Sequence, residues 1–502
     1  MLELWLTGFL SLMQPQELVF LAIGMAIGLF VGVLPGLGGT AALALLTPVT
    51  YGLEPISALA LAGGVMGGAP MGGAVTAILL NTPGQTANAV TCLDGYPLAQ
   101  QGKAGLAIGA AASANALGGI IGTISVLAIL PVATEVVLLF GPPEFFLIAM
   151  LGLVLVATTS RGKTLRALVG GLFGLMIASI GYNAVTGTER FTLGSEYLWD
   201  GIHIAPALVG LFAVAEMMHL SVKGGTIAEV DADMRITGLA AGLFETFRHW
   251  GTVIRGSIIG TLVGATPGVG ATVASFLSYS MTVQASKDPE TFGKGNIKGV
   301  IAPEAAINAK DGAALIPTLA FGLPGSAEMA VFMGILILHG MQPGPLMLVE
   351  NQVEIYSLIW ALTASCILAS FIGLLLARPL AKLTVIDTQL LAPVIIAISL
   401  VGSYAIDLTI ENAVLSMVFG VIGYLMIRFD YPRITLVIAL VLGGIAERNY
   451  HQTMQISDGN WAIFVTRVPS LVMAAIIVLA FAWPILHPLL RKKRAQPAGA
   501  SK

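Results

Sequence analysis

Long apolar stretches follow one another along this chain, separated by polar tracts too short to fold as soluble domains. They cover residues 18–33, 56–80, 104–130, 145–157, 165–180 and 204–220 in the first half. In the second half they cover 253–264, 313–338, 356–377, 390–406, 413–427, 434–446 and 468–483. A helix needs about 20 residues to cross a hydrocarbon core about 30 Å thick, so the shorter stretches must re-enter or break within the membrane. Of 502 residues, 56% are hydrophobic and only 10% charged, against roughly 25% charged in a soluble domain. There is too little charge to coat a water-facing surface. The pattern predicts an all-α polytopic membrane protein with about 10–14 membrane-inserted segments.

The remaining composition excludes several classes. Lys and Arg number 24 against 27 acidic residues, for a net charge of −3, which offers no basic field for nucleic acid. Cys92 and Cys366 lie far apart in apolar surroundings with no metal-ligand spacing, so no metal and no cofactor is expected. Residues 1–32 lack a basic leader and a small-residue cleavage site, and read as a retained first span. Arg491, Lys492, Lys493 and Arg494 follow the last apolar stretch and place the tail in the cytoplasm by the positive-inside rule. Arg161, Lys163 and Arg166 form a second basic cluster on the same side.

The chain also resembles itself. A G-x-x-P-G-x-G-x-T pattern runs from Gly32 through Pro35, Gly36, Gly38 and Gly39 to Thr40, and returns from Gly264 through Pro267, Gly268 and Gly270 to Thr272. A second pair follows in the same order: Asn81, Thr82, Pro83, Gly84 and Gln85 in the first half, and Leu323, Pro324, Gly325 and Ser326 in the second. Paired Gly/Pro interruptions in two halves point to a transporter's binding site. A helix broken in mid-membrane exposes free N–H groups at the start of the half-helix that follows, and these with the helix dipole favour an anion. Carbonyls released at the break can hold a cation. Neutral hydrogen-bonding residues near these loops (Thr40, Asn81, Thr82, Gln85, Thr86, Asn88, Thr272, Ser275, Ser278, Ser326) could bind carboxylate oxygens without burying a charge. Glu304, Asp311 and Glu328 are candidate charges along the transport path, because ionisable groups within spans are costly and functional.

The expected layout is a first transport repeat (1–182), a connecting region with one or more spans (183–252), and a second transport repeat (253–377). C-terminal helices (378–490) and a basic cytoplasmic tail (491–502) complete it, with the repeats expected to be inverted and their helices broken or re-entrant at the Pro-Gly loops.

Beyond the motif from Gly32 to Thr40, the tracts at 77–84 and 93–99 resemble the large membrane subunit of the tripartite tricarboxylate transporters. So do Gly299 to Glu304, the run from Pro317 and Thr318 to Ser326, and His339 to Pro345. The tracts 190–194 and 210–216 between the halves agree as well. One departure is Lys310, where family members often carry asparagine or a small residue. The resemblance implies a secondary active transporter, not an enzyme, in a bacterial inner membrane, importing citrate or a related organic acid. It implies two partners: a small membrane subunit of about four spans and a periplasmic solute-binding protein.

Energetics adds cation coupling. Each charge crossing 100 mV is worth about 2.3 kcal/mol, so a trianion entering a negative interior meets roughly 7 kcal/mol of opposition. Sodium or proton symport follows, with alternating access around a midplane site. The competing reading is a self-sufficient organic-anion carrier or channel that needs no binding protein. Gly162-Lys163-Thr164 looks like the end of a phosphate loop, but Ala157 stands where a glycine is required and no strand precedes it.

Overall fold

A computed structural model describes residues 2–494 except 35, 160–162, 184–185, 224–237, 345 and 383–387. Pro35, Arg161, Gly162 and the residues beyond 494 thus lie outside the described residues. Helices dominate, and the chain is an all-α multi-pass membrane protein. Six described helices are long and apolar enough to cross a bilayer, and further apolar helices are shorter.

The chain divides into two compact units. The larger comprises Met1–Glu135 and His203–Asp430. It opens with α1 (Leu2–Leu12), α2 (Pro15–Val33), α3 (Gly38–Thr50), α4 (Pro55–Leu80), α5 (Thr91–Gln100) and α6 (Ala104–Leu138), the last running past the unit's edge. The smaller unit, Val136–Ile202 with Tyr431–Lys502, begins with α7 (Pro142–Thr159), α8 (Thr164–Ala178) and the antiparallel strands β1 (Gly181–Tyr182) and β2 (Glu189–Arg190). The larger unit resumes with α9 (Ile204–Leu208), a π-turn at Val209–Val214, α10 (Ala215–Lys223), α11 (Leu239–Arg248), α12 (Trp250–Gly264) and α13 (Gly270–Ala285). It continues with α14 (Lys298–Phe321), α15 (Ala327–Leu338), α16 (Met347–Glu350), α17 (Gln352–Leu375), α18 (Ala377–Lys382), α19 (Thr388–Asp407) and α20 (Ile410–Arg428). The smaller unit closes with α21 (Arg433–Ile456), α22 (Ile463–Thr466) and α23 (Val468–Arg494).

Two helices form the centre of the larger unit. Every residue of α4 from Ser57 to Leu79 is buried, and so is every residue of α14 from Gly299 to Ala320. A helix buried all round shows no amphipathic stripe: hydropathy marks α4 as a span without telling that protein, not lipid, surrounds it, and it does not mark α14, which carries Lys298, Glu304, Lys310 and Asp311. Each central helix has a close companion. A side chain at Gly24, Gly28 or Gly32 of α2 would overlap the carbonyl of Leu61, Val65 or Ala69 of α4. The same spacing recurs in the second half, where Gly256, Gly260 and Gly264 of α12 face the carbonyls of Ala302, Ala306 and Lys310 of α14. Small residues let backbones touch where no hydrophobic force separates helix from lipid, so each half is built on one glycine-zippered pair.

The stretch 313–338, continuous by hydropathy, is not one helix. Phe321 ends α14 and the Pro-Gly loop intervenes before α15. In the smaller unit, Phe146 packs against Tyr450 and Phe464, with ring centroids 5.6 and 5.2 Å away. The Arg190 guanidinium grips Glu447 with two hydrogen bonds, 2.7 and 3.0 Å long.

Candidate functional site

The Pro-Gly loops fold alike in both halves. Asn81 ends α4 in the left-handed conformation (φ 52°), and Gly322 ends α14 in the same way (φ 67°). Gly36 and Gly268, each following the first motif's proline, also take positive φ, at 90° and 78°. Here glycine is required, since a Cβ is strained in that region. The Gly36 amide donates to the Gly84 carbonyl at 3.3 Å, and the Gly268 amide donates to the Pro324 carbonyl at 3.3 Å. Within each half, then, the first loop is hydrogen-bonded to the second. Gly84 sits against the carbonyl of Gly32, and an added Cβ would overlap it; a Cβ at Gly325 would lie 3.0 Å from the carbonyl of Gly264.

The helices that leave these loops are short. α3 has 13 residues and α15 has 12, about 20 Å each at 1.5 Å per residue, so neither spans a hydrocarbon core alone. They pack against each other, which brings the second half's half-helix to the first half's. The reciprocal contact joins α13 to the short 3-10 turn Thr86–Ala89, where the hydroxyls of Thr86 and Thr272 lie 3.0 Å apart. Each half's first loop therefore meets the other half's second loop.

The expected ligand hydroxyls fall into two groups. The Thr86–Thr272 pair stands at the junction, with Thr86, Asn81 and Gly36 exposed and Thr40, Thr82, Pro83, Pro267 and Gly270 part-exposed or buried nearby in the chain. Other hydroxyls are already engaged by backbone. Ser326 caps α15 by accepting from the Met329 amide at 3.3 Å, and Thr82 donates to the Leu80 carbonyl at 3.0 Å. Ser275 donates to Thr272 and Ser278 to Ala302 carbonyls, at 2.9 and 2.8 Å. These four are hydrogen-bonded to the backbone around the site.

The three candidate acids stand behind the loops, at two places. Glu304 is fully buried on α14. Its Oε1 accepts from Asn88 Nδ2 at 3.0 Å and from the Thr91 hydroxyl, while its Oε2 and the Asn88 Oδ1 have no hydrogen-bond partner. Nearby on the same helix, Asn308 donates to Asn115 and accepts from the Cys366 thiol at 3.6 Å. Two turns along, Lys310 is ion-paired to Asp311, and its ammonium lies 4.0 Å from Glu328 Oε2 on α15. Lys310 and Asp311 are each 1% exposed and Glu328 is 8% exposed. The other Glu328 oxygen is buried without a hydrogen bond and points at Gly39 in the first turn of α3.

Sequence reasoning missed Thr91, Asn115, Asn308 and Lys310 as members of this polar interior. The signal for Lys310 was present: an ionisable residue inside an apolar run is a functional candidate by its cost alone. Asp94, buried on α5, has a framing role. It accepts from the Tyr279 hydroxyl at 2.9 Å and from the Gly295 and Asn296 amides at 2.9 and 2.8 Å, pinning the entrance to α14.

This arrangement offers anion-favouring helix starts and a buried set of mixed charges, which together can bind an organic anion with a counter-charge. Comparison with known proteins points the same way. Residues 18–438 match the family model described as Tripartite tricarboxylate transporter TctA family. A 52.8 kDa protein in the TAR-I ttuC' 3'region of Agrobacterium vitis is 35% identical over 493 residues, covering 97% of this chain and 96% of that protein. A protein in the TAR-II ttuC' 3'region of the same organism is 34% identical over 243 residues, covering 47% of this chain and 98% of its own length. No solved structure matches the chain.

Proposed function

Because the chain belongs to the tripartite tricarboxylate transporter TctA family, and is thus a subunit of a membrane transporter, we propose that it forms the substrate path of a binding-protein-dependent importer of citrate or a related organic acid. Uptake is coupled to sodium or protons, since a multivalent anion cannot accumulate against an inside-negative potential unaided. A periplasmic binding protein delivers the acid, and a small membrane subunit completes the complex in a bacterial inner membrane, with the C-terminus cytoplasmic.

One observation carries this reading: the reciprocal docking of two Pro-Gly breaks, with the half-helices α3 and α15 starting beside an intramembrane charge cluster. Half-helix starts favour the carboxylates of the ligand. The exchange contacts between halves supply two equivalent surfaces that can separate in turn, which is the geometry alternating access requires.

The test is uptake of labelled citrate and succinate by proteoliposomes holding this chain with its small subunit, with and without the binding protein, under imposed sodium or proton gradients. Gradient-driven, binding-protein-dependent accumulation is the expected result. Flux that needs neither gradient nor binding protein would make the chain a channel or a self-sufficient carrier.

A further inference from the structure

The two halves match in backbone but not in charge. When the glycine-zippered pairs and the Pro-Gly loops are superposed in sequence, Glu304, Lys310, Asp311 and Glu328 correspond to Gly63, Ala69, Pro70 and Ala87. All the interior charge at these positions lies in the second half. Lys310, Asp311 and Glu328 sum to one uncompensated negative charge when all three are ionised.

The neighbours supply no cation to cancel it. Four helices pack on α15: α3, α4, α9 and α14. The first three contain no ionisable side chain, and α14 contributes Lys310, Asp311 and, two turns away, Glu304, with Lys298 at its opposite end, twelve residues before Lys310. From α17 the Cys366 thiol lies within electrostatic reach of Asp311 and Glu328. Lys310 is thus the one ammonium in this neighbourhood among the described residues, and Asp311 already holds it in an ion pair. Glu328 has only a distant share of that charge. Its Oε1 is buried, lacks any hydrogen-bond partner, and points into the first turn of α3, the place the backbone makes favourable for an anion.

We propose that Glu328 is a coupling group of this transporter, carrying one of the protons that cross with each anion, and that Lys310 is a tethered cation standing where a free metal cation would otherwise balance Asp311. Protonation converts the Glu328 carboxylate and one proton from the outer solution to the neutral acid, with release of the same proton to the inner solution. In the ionised state Glu328 competes with a substrate carboxylate for the start of α3. In the neutral state it yields that place, so the anion and the proton enter together. This inference rests on the transporter reading and names its driving ion.

The experiment uses the reconstituted complex with binding protein and two readouts: exchange of labelled citrate or succinate across equilibrated membranes, and accumulation driven by a pH gradient at zero potential. Wild type is expected to accumulate under the pH gradient and not under a sodium gradient. Glu328→Gln is expected to lose pH-driven accumulation entirely, and whatever exchange it retains should no longer vary with pH. A third readout is independent of transport. Infrared pH-difference spectra of the purified protein should contain a carboxylic-acid band that Glu328→Gln removes and Glu304→Gln does not. Sodium-driven accumulation by wild type, or proton-driven accumulation by Glu328→Gln, overturns the inference and leaves the transporter reading standing. If wild type exchanges neither acid, the reading of the substrate falls, and persistence of the infrared band in Glu328→Gln overturns the inference on its own.

Discussion

Thr86 and Thr272 stand 186 residues apart in the chain and share a 3.0 Å hydrogen bond between hydroxyls. The bond joins the second loop of one half to the first loop of the other, so a cycle that separates the two halves must break it. Cysteines at both positions are expected to cross-link under mild oxidation and to stop uptake, with recovery on reduction. Efficient cross-linking with full uptake would show that these loops never part.

The two loop glycines have unequal room. A Cβ at Gly84 overlaps the Gly32 carbonyl and lies 2.8 Å from the Gly73 Cα, whereas one at Gly325 meets its nearest neighbours at 3.0 Å. Gly84→Ala should therefore cost more than Gly325→Ala, within the range of about 1–3 kcal/mol for overpacking. Uptake by Gly84→Ala is expected to fall at least about tenfold with the protein still inserted, and Gly325→Ala to keep a measurable rate. Equal activities in the two variants would argue against a packed first-half loop.

Glu304 draws its hydrogen bonds from neutral partners, Asn88 and Thr91. A buried hydrogen bond contributes about 0.5–1.5 kcal/mol net, and removing its donor leaves a buried oxygen unsatisfied. Thr91→Val is expected to lower the thermal midpoint of the purified protein, and Thr91→Ser to restore it. A midpoint unmoved by Thr91→Val would mean that the hydroxyl contributes nothing.

The hairpin of β1 and β2 is held to α21 by Arg190 on Glu447, with His451 3.7 Å away. Glu447 lies beyond the candidate spans. Hydrogen bonds from Arg190 hold its carboxyl below the usual value, and the Arg190 charge adds to this. A lowered carboxyl contributes stability above its unfolded value, near 4.3, and loses it as pH falls through the lowered one. Proteolysis at the hairpin should thus be steady from about pH 5.5 to 7.5 and rise in acid below about pH 4.5. Arg190→Lys, which cannot form the fork, should raise it over the steady range by an amount matching about 1 kcal/mol or less, and the difference should shrink in acid as Glu447 is protonated.

Much of this architecture was legible because its signals are local. A Pro-Gly pair and its flanking glycines dictate their own backbone, so the breaks at 36–40, 81–85, 264–272 and 323–326 could be placed from residue types, and their order revealed two halves. Membership of the interior was not local. Asn88 reaches Glu304 across 216 residues, and no spacing rule pairs them. α4 is apolar on every side, and α14 buries its charged residues as completely as its apolar ones, so no stripe tells which residues face a neighbour or what that neighbour is. The hydroxyls add a local layer: Ser326 and Thr82, ligand candidates in sequence, each lie next to a helix end and are hydrogen-bonded to its backbone.

The glycine zippers between α2 and α4, and between α12 and α14, limit how the molecule can move. Their contacts repeat every four residues with glycine against main chain at each rung, and a shorter shift would set a side-chain-bearing residue where only glycine fits. Such a pair cannot slide by small amounts; it stays in register or jumps a whole turn, about 5.4 Å. The force of an arriving ligand on a loop is therefore passed along two helices as if along one beam, and the compliance needed for transport is left to the loops at its end.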